Sequence, residues 1–169
     1  MRLLLAIVLS EMIFIILLLK LKHPLMFSKA CEYGIKAMIY VGTQSLKGER
    51  VKIGEIVENV GSPEAFTAKI LSELVKNGLI ESLKGPYGGF YIPSDQMESI
   101  KVIHIVSVID GDAIFSGCGL GLRECNAQEP CPMHTKFVKI RSELKQALAS
   151  TSLLELANGI KSGKTILVR

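Results

Sequence analysis

Three of the four cysteines, Cys118, Cys125 and Cys131, fall in one short stretch, and His134 follows three residues after the last. Thiolates are soft ligands that suit iron–sulfur clusters or zinc. Cys118, Cys125, Cys131 and His134 would by themselves complete a four-coordinate zinc site. The spacing Cys118-x6-Cys125-x5-Cys131 does not separate the two metals. The surrounding stretch, Gly111 to Pro132, is rich in glycine, which would let backbone amides approach the sulfurs. A secreted disulfide scaffold would be smaller and evenly paired, so the cysteines point to a reducing, cytoplasmic compartment. Cys31 stands apart and reads as a buried small apolar residue. His104, flanked by β-branched residues, reads as a core or interface histidine. No hydrolytic triad, phosphate-cradling glycine loop or acid/base pair occurs, so neither an enzyme nor a small-molecule substrate is expected.

The elements that must position these groups follow from periodicity. Ala30, Tyr33, Ala37, Tyr40 and Val41 recur on one face of a helix over residues 28–46. Ile53, Ile56, Val57 and Val60 make a short second helix that Gly61 ends. Ser62, Pro63 and Glu64 supply a cap, a proline at the first helical position and a first-turn acid for a third helix. That helix runs to Asn77-Gly78 with Phe66, Ile70, Leu71 and Leu74 inward. Two short apolar stretches then flank Gly85-Pro86-Tyr87-Gly88-Gly89, a strong hairpin signal. Helix, helix and hairpin in this order is a winged helix-turn-helix. Ala65, Ala68, Lys69 and Ser72 lie on the outer face of the third helix, where they could enter a major groove. Lys84 and Tyr87 sit at the wing tip, within reach of phosphates or a minor groove. Residues 101–109 (KVIHIVSVI) read as a strand on composition. After the cysteine loop, Phe137, Ile140, Leu144 and Leu148 stripe a helix beginning near Met133. Such a stripe on a terminal helix is either core or a dimer seam. Thr151 or Ser152 could cap one more short helix.

The chain has 169 residues and a net charge of +4. Residues 1–25 hold three of the 20 basic residues and one of the 16 acidic ones, so the body is only mildly basic and a case for DNA must rest on motifs. The same segment is strongly apolar. It could be a short membrane helix burdened by Glu11, a cleaved signal without a small-x-small site, or translated upstream sequence ahead of a start at Met26. The last is favoured, because a well-formed domain begins directly after Met26. Membrane association is confined to residues 1–25 as the alternative.

From Met26 to about Gly159 the sequence resembles the IscR/NsrR type of regulators, the Rrf-two family. The most specific stretch is KNGLIESLKGPYGGFYIP, similar to the family's wing, with Lys84 where arginine is usual and Phe90 where tyrosine is usual. MFSKACEYGIKAMIYV resembles the family's first helix, and the cysteine loop matches in kind. The resemblance implies a mainly α fold with a small β-hairpin wing: a winged helix-turn-helix domain at 26–95, a connecting segment and cluster loop at 96–132, a dimerisation helix and C-terminal helix at 133–160, and a tail at 161–169. It makes residues 101–109 a helix against their local propensity, and it makes Phe137, Ile140, Leu144 and Leu148 a homodimer seam. It favours an iron–sulfur cluster (2Fe–2S or 4Fe–4S) over zinc, with Glu32 or His134 as fourth ligand. The implied function is a transcriptional regulator that reads a pseudo-palindromic operator in double-stranded DNA under the control of the cluster.

Overall fold

The computed structural model describes residues 26–167. Helix α1 spans Lys29–Ser45, capped by the Ser28 hydroxyl, which accepts the Cys31 amide. Its buried positions include Cys31, Ala37, Met38 and Val41. Helix α2 (Ile53–Val60) ends at Gly61, whose φ of 69° closes the left-handed turn into the next helix. Helix α3 (Glu64–Lys76) completes the helix-turn-helix, burying Thr67, Ile70, Leu71 and Leu74. Two expected details differ here. Pro63 is itself the N-cap residue, and the Ser62 hydroxyl pairs at 2.6 Å with that of Thr67 rather than capping an amide. Phe66 is 39% exposed and meets Tyr33 edge-on, with ring centroids 6.1 Å apart, so it stands outside the core.

Strands β1 (Glu81–Leu83) and β2 (Gly89–Tyr91) form the antiparallel wing, with Ser82 opposite Phe90. Val51, ahead of α2, exchanges both backbone hydrogen bonds with Phe90 and ties the wing root to the helices. The chain then enters α4 (Val102–Ile109), a helix as the family resemblance implied and contrary to strand propensity. Val102, Ile105 and Val106 are its buried residues, at helical spacing. A single turn, α5 (Ala113–Ser116), leads into the cysteine loop, followed by the long α6 (His134–Ser150) and the short α7 (Leu153–Lys161).

The core gathers around α1, against which α2, α3, α4 and α7 all pack. Helix α7 returns to it because Leu153 donates to the Ile100 carbonyl at 2.8 Å and Val102 to the Thr151 carbonyl at 3.1 Å. The Ser152 hydroxyl caps α7 by accepting the Glu155 amide. Helix α6 is the exception, because none of its 17 residues is buried.

Two glycines give opposite expectations. A Cβ on Gly88 would lie 2.1 Å from the Leu83 carbonyl oxygen, and backbone cannot swing aside. Gly88→Ala should therefore open the wing and lower stability by about 1–3 kcal/mol. Gly54, in the exposed first turn of α2, has nothing within 4 Å. Gly54→Ala should raise stability by about 0.5–1 kcal/mol through helix propensity. Denaturant titration of the two variants checks both signs.

Candidate metal centre and nucleic-acid interface

The reading head is built from α3 and the wing. Ala65, Ala68, Lys69 and Ser72 are all exposed on the side of α3 opposite its buried residues. A shallow groove between α3 and the hairpin is lined by Ala68, Ser72, Lys76, Ser82 and Phe90. At the wing tip the Gly85 carbonyl accepts the Gly88 amide at 3.0 Å, which presents Lys84 and Tyr87 outward. Tyr87 is 89% exposed, an unusual cost for an aromatic ring unless it has a partner. The sequence reading passed over Arg50. Its guanidinium lies 5.1 Å from the centroid of the Tyr91 ring, a cation–π contact that holds a positive charge at the wing root.

The cysteine loop brings two of its thiols together and sets the third beside His134 and Arg141. Cys131 lies within hydrogen-bonding reach of Cys118. The Cys125 sulfur is 3.5 Å from His134 Nδ1 and accepts a hydrogen bond from Arg141 Nη2 at 3.2 Å. The backbone amides of Leu120 and Leu122 hold the Cys118 thiol below its ordinary pKa, helped by Cys131 and by the charge of Arg141. Among the described residues no three cysteine, histidine, aspartate or glutamate side chains converge to hold a single ion. The donor set nonetheless suits a thiolate-bound group. Three soft ligands and an imidazole share one loop, amides already favour the thiolate form of one of them, and a cation offsets the charge.

Arg141 is a site residue that the sequence pattern did not single out. Its signal was its spacing, since it stands seven residues, or two turns, after His134 and so on the same helix face. Phe137 shares that face and packs on the loop, for a Cβ on Gly119 would come within 2.7 Å of its ring. Leu148 is partly buried in its own protomer against the cluster of Cys31, Val102 and Val106. Leu144 is half-buried and Ile140 is 56% exposed, as is its neighbour Val138 in part.

The two fourth-ligand candidates sit differently. His134 opens α6 beside Cys125, whereas Glu32 pairs with Lys29 within α1. Cys31 is fully buried, and desolvation, reinforced by Asp110, pushes its thiol up to about 12. His104 is exposed rather than in the core. It stands in the first turn of α4, where its Nδ1 accepts the Lys101 amide at 3.2 Å, a local capping bond that a sequence pattern of β-branched neighbours conceals.

The model of the Rrf2 family, described as an iron-dependent transcriptional regulator, matches residues 27–159. The chain belongs to the Rrf2 family. An HTH-type transcriptional regulator of Aquifex aeolicus is 30% identical over 137 residues, covering 79% of this chain and 92% of the relative. The HTH-type transcriptional regulator IscR of Photorhabdus laumondii is 30% identical over 127 residues, covering 75% of this chain and 76% of the relative. Among solved structures, the global cysteine regulator CymR of B. subtilis matches with a TM-score of 0.63 at 24% identity, covering 78% of this chain and 95% of that one. IscR of T. potens matches with a TM-score of 0.63 at 21% identity, covering 82% and 90%. These likenesses support the fold: mainly helical, with a winged helix-turn-helix. The chain is thus a transcriptional regulator of a DNA-binding family, not an enzyme. Among the described residues no helix is long and apolar enough to cross a membrane, and residues 1–25 lie outside them.

The displaced thiol of Cys31 makes stability depend on pH. Its folded pKa of about 12 lies above the ordinary 9.0, so the unfolded chain releases the proton first. The contribution is complete below pH 9 and is lost as pH rises from there toward 12. Metal-free protein with Cys31→Ala should lose less stability than the parent between pH 8 and pH 10.5 in urea titrations.

Proposed function

We propose that this Rrf2-family regulator is a homodimer that reads a pseudo-palindromic operator and carries an iron–sulfur cluster, which adjusts its grip on DNA. The observation that supports this reading is the approach of Cys118 to Cys131 and of Cys125 to His134 where the segment after the winged head meets the exposed α6. The three cysteines would hold the cluster. His134, beside Cys125, is the better supported fourth ligand, with Glu32 as its rival. A bound cluster supplies a redox-active group that oxygen or nitric oxide can dismantle. Helix α6 would bury Ile140 and Leu144, with Phe137 and Leu148 flanking them, against a second copy. A stripe of this kind with no buried position of its own asks for a partner. Two-fold symmetry would then set two α3 helices in successive major grooves, with Ala65, Ala68, Lys69 and Ser72 toward base edges and Lys84 and Tyr87 beside the backbone. Cluster occupancy would act as a ligand that favours one dimer geometry over another. The partner being DNA, the working location is the cytoplasm.

Two measurements test the reading. Lys69→Glu should abolish operator binding while leaving the thermal transition in place, and Lys84→Ala should flatten the salt dependence of binding by about 0.9 in slope. Unchanged affinity in both variants would overturn this docking.

Anaerobically purified protein should be red-brown and should bleach in air or nitric oxide. Alanine at Cys118, Cys125 or Cys131 should sharply lower iron and sulfide content, whereas Cys31→Ala should not. Operator affinity should differ at least tenfold between cluster-bound and cluster-free dimers, about 1.4 kcal/mol of coupling. Colourless protein with one zinc per chain would replace cluster sensing by a structural metal.

A further inference from the structure

Among the described residues one buried side-chain nitrogen or oxygen has no hydrogen-bond partner, and it is Nη1 of Arg141. Its twin, Nη2, donates to the Cys125 sulfur at 3.2 Å, and His134 Nδ1 stands 3.5 Å from the same sulfur. A guanidinium is a rigid planar fork, so two nitrogens on one carbon address neighbouring acceptors rather than opposite sides of a site. With Nη2 on a thiol of the loop, Nη1 faces the region beside it. Leaving a buried, charged donor unmatched is strongly unfavourable. The surrounding loop gives no acceptor, yet the side chain remains drawn in there, while Lys136, Lys139 and Lys145 of the same helix are exposed. The charge is felt beyond Cys125, since it also acts on Cys118.

We infer that Arg141 is a positioning residue for the thiolate-bound centre: it holds Cys125 through Nη2, offers Nη1 to a second anionic acceptor that arrives with the centre, and raises the reduction potential of the cluster. The inference rests on the iron–sulfur reading above. Net charge and hydrogen bonds to sulfur are main determinants of such potentials. One-electron reduction adds one negative charge to the centre and breaks no bond, so a fixed cation on a ligand sulfur stabilises the reduced form more than the oxidised one. An exposed lysine, screened by water and salt, has little such effect. Because α6 carries both Arg141 and the exposed stripe, the same side chain links the centre to the surface proposed to pair with a second copy.

The test uses the full-length protein, purified anaerobically, with reductive titration by dithionite followed through the visible absorbance. Arg141→Gln keeps a hydrogen-bond donor and removes the charge. It should shift the midpoint so that, at the potential where the parent is half reduced, the ratio of reduced to oxidised protein falls at least tenfold, about 59 mV for one electron. Arg141→Lys keeps the charge but cannot span two acceptors, and should fall between the two. Lys145→Gln removes the same charge from an exposed position of α6 and should leave the midpoint unchanged. Should Arg141→Gln fold but hold no cluster, Arg141→Lys decides: a lowered midpoint supports the inference and a parental one overturns it. A coloured parent with parental midpoints in both arginine variants, or an equal shift in Lys145→Gln, overturns the inference and leaves the cluster reading standing. A colourless parent overturns the cluster reading and this inference with it.

Discussion

Everything in the described chain is arranged around α1, a helix buried on most of its circumference. Met38 and Val41 are fully enclosed, and α2, α3, α4 and α7 all pack against it. Each such side chain is worth roughly 1.5–3 kcal/mol when taken out of water, so α1 is the element whose loss would release all the others. Close approach is part of the arrangement. Gly34 admits Ile109 of α4, since a Cβ there would come within 2.2 Å of its Cδ1, and Gly42 lies against Leu153 of α7. The orientation of the reading helix α3 is inherited from the same contacts, through Ile70, Leu71 and Leu74.

The thiol loop leaves this framework at a well-defined point. Asp110, at the end of α4, accepts the Ser28 amide at 2.9 Å and also the Ser28 hydroxyl, which in turn caps α1 at Cys31. The start of α1 and the end of α4 are therefore fastened together one residue before the loop begins at Gly111. On its far side the loop rests on α6, with Gly119 against Phe137 and Cys125 against Arg141. A loop held between two rigid elements can pass on a change in its own shape, whereas a free loop would absorb it. In the proposed regulator this is the route from cluster to operator, because α6 carries the dimer surface and α1 carries the reading head.

Helix α6 differs from the rest in what holds it. Helices in proteins draw most of their stability from a packed face, and no residue of α6 is fully buried in its own protomer. Its two ends are secured instead, one by the cysteine loop and the other by the backbone bonds that join Thr151 and Leu153 to Val102 and Ile100. The split of its apolar stripe follows. Phe137 and Leu148, near the ends, are engaged within the protomer, while Ile140 in the middle stays open.

The helix-turn-helix and its wing were legible from the chain alone, because their signals are local. Apolar residues recur every three or four positions in α1 to α3, Gly61 marks a left-handed turn, and Gly85-Pro86-Tyr87-Gly88-Gly89 admits little but a tight hairpin. The three thiols and His134 were equally plain as a candidate ligand set. Other features depended on neighbours distant in sequence. In α4 nearly every position is apolar, so periodicity is masked and β-branched composition points to a strand; only packing against Cys31 and Leu148 selects a helix. Phe66 stands outside the core because Tyr33, far away along the chain, offers its ring there. His104 is exposed and Arg141 is drawn in, since the exposure of a polar side chain is decided by which groups the fold sets beside it. Residue types and spacing determined the winged head and singled out the candidate ligands, because those signals lie within short stretches of chain. Tertiary structure alone decided that Arg141 meets Cys125 and that the stripe of α6 is divided. Each of those outcomes is a contact or an exposure set by the packing of helices on α1 and by the path of the loop.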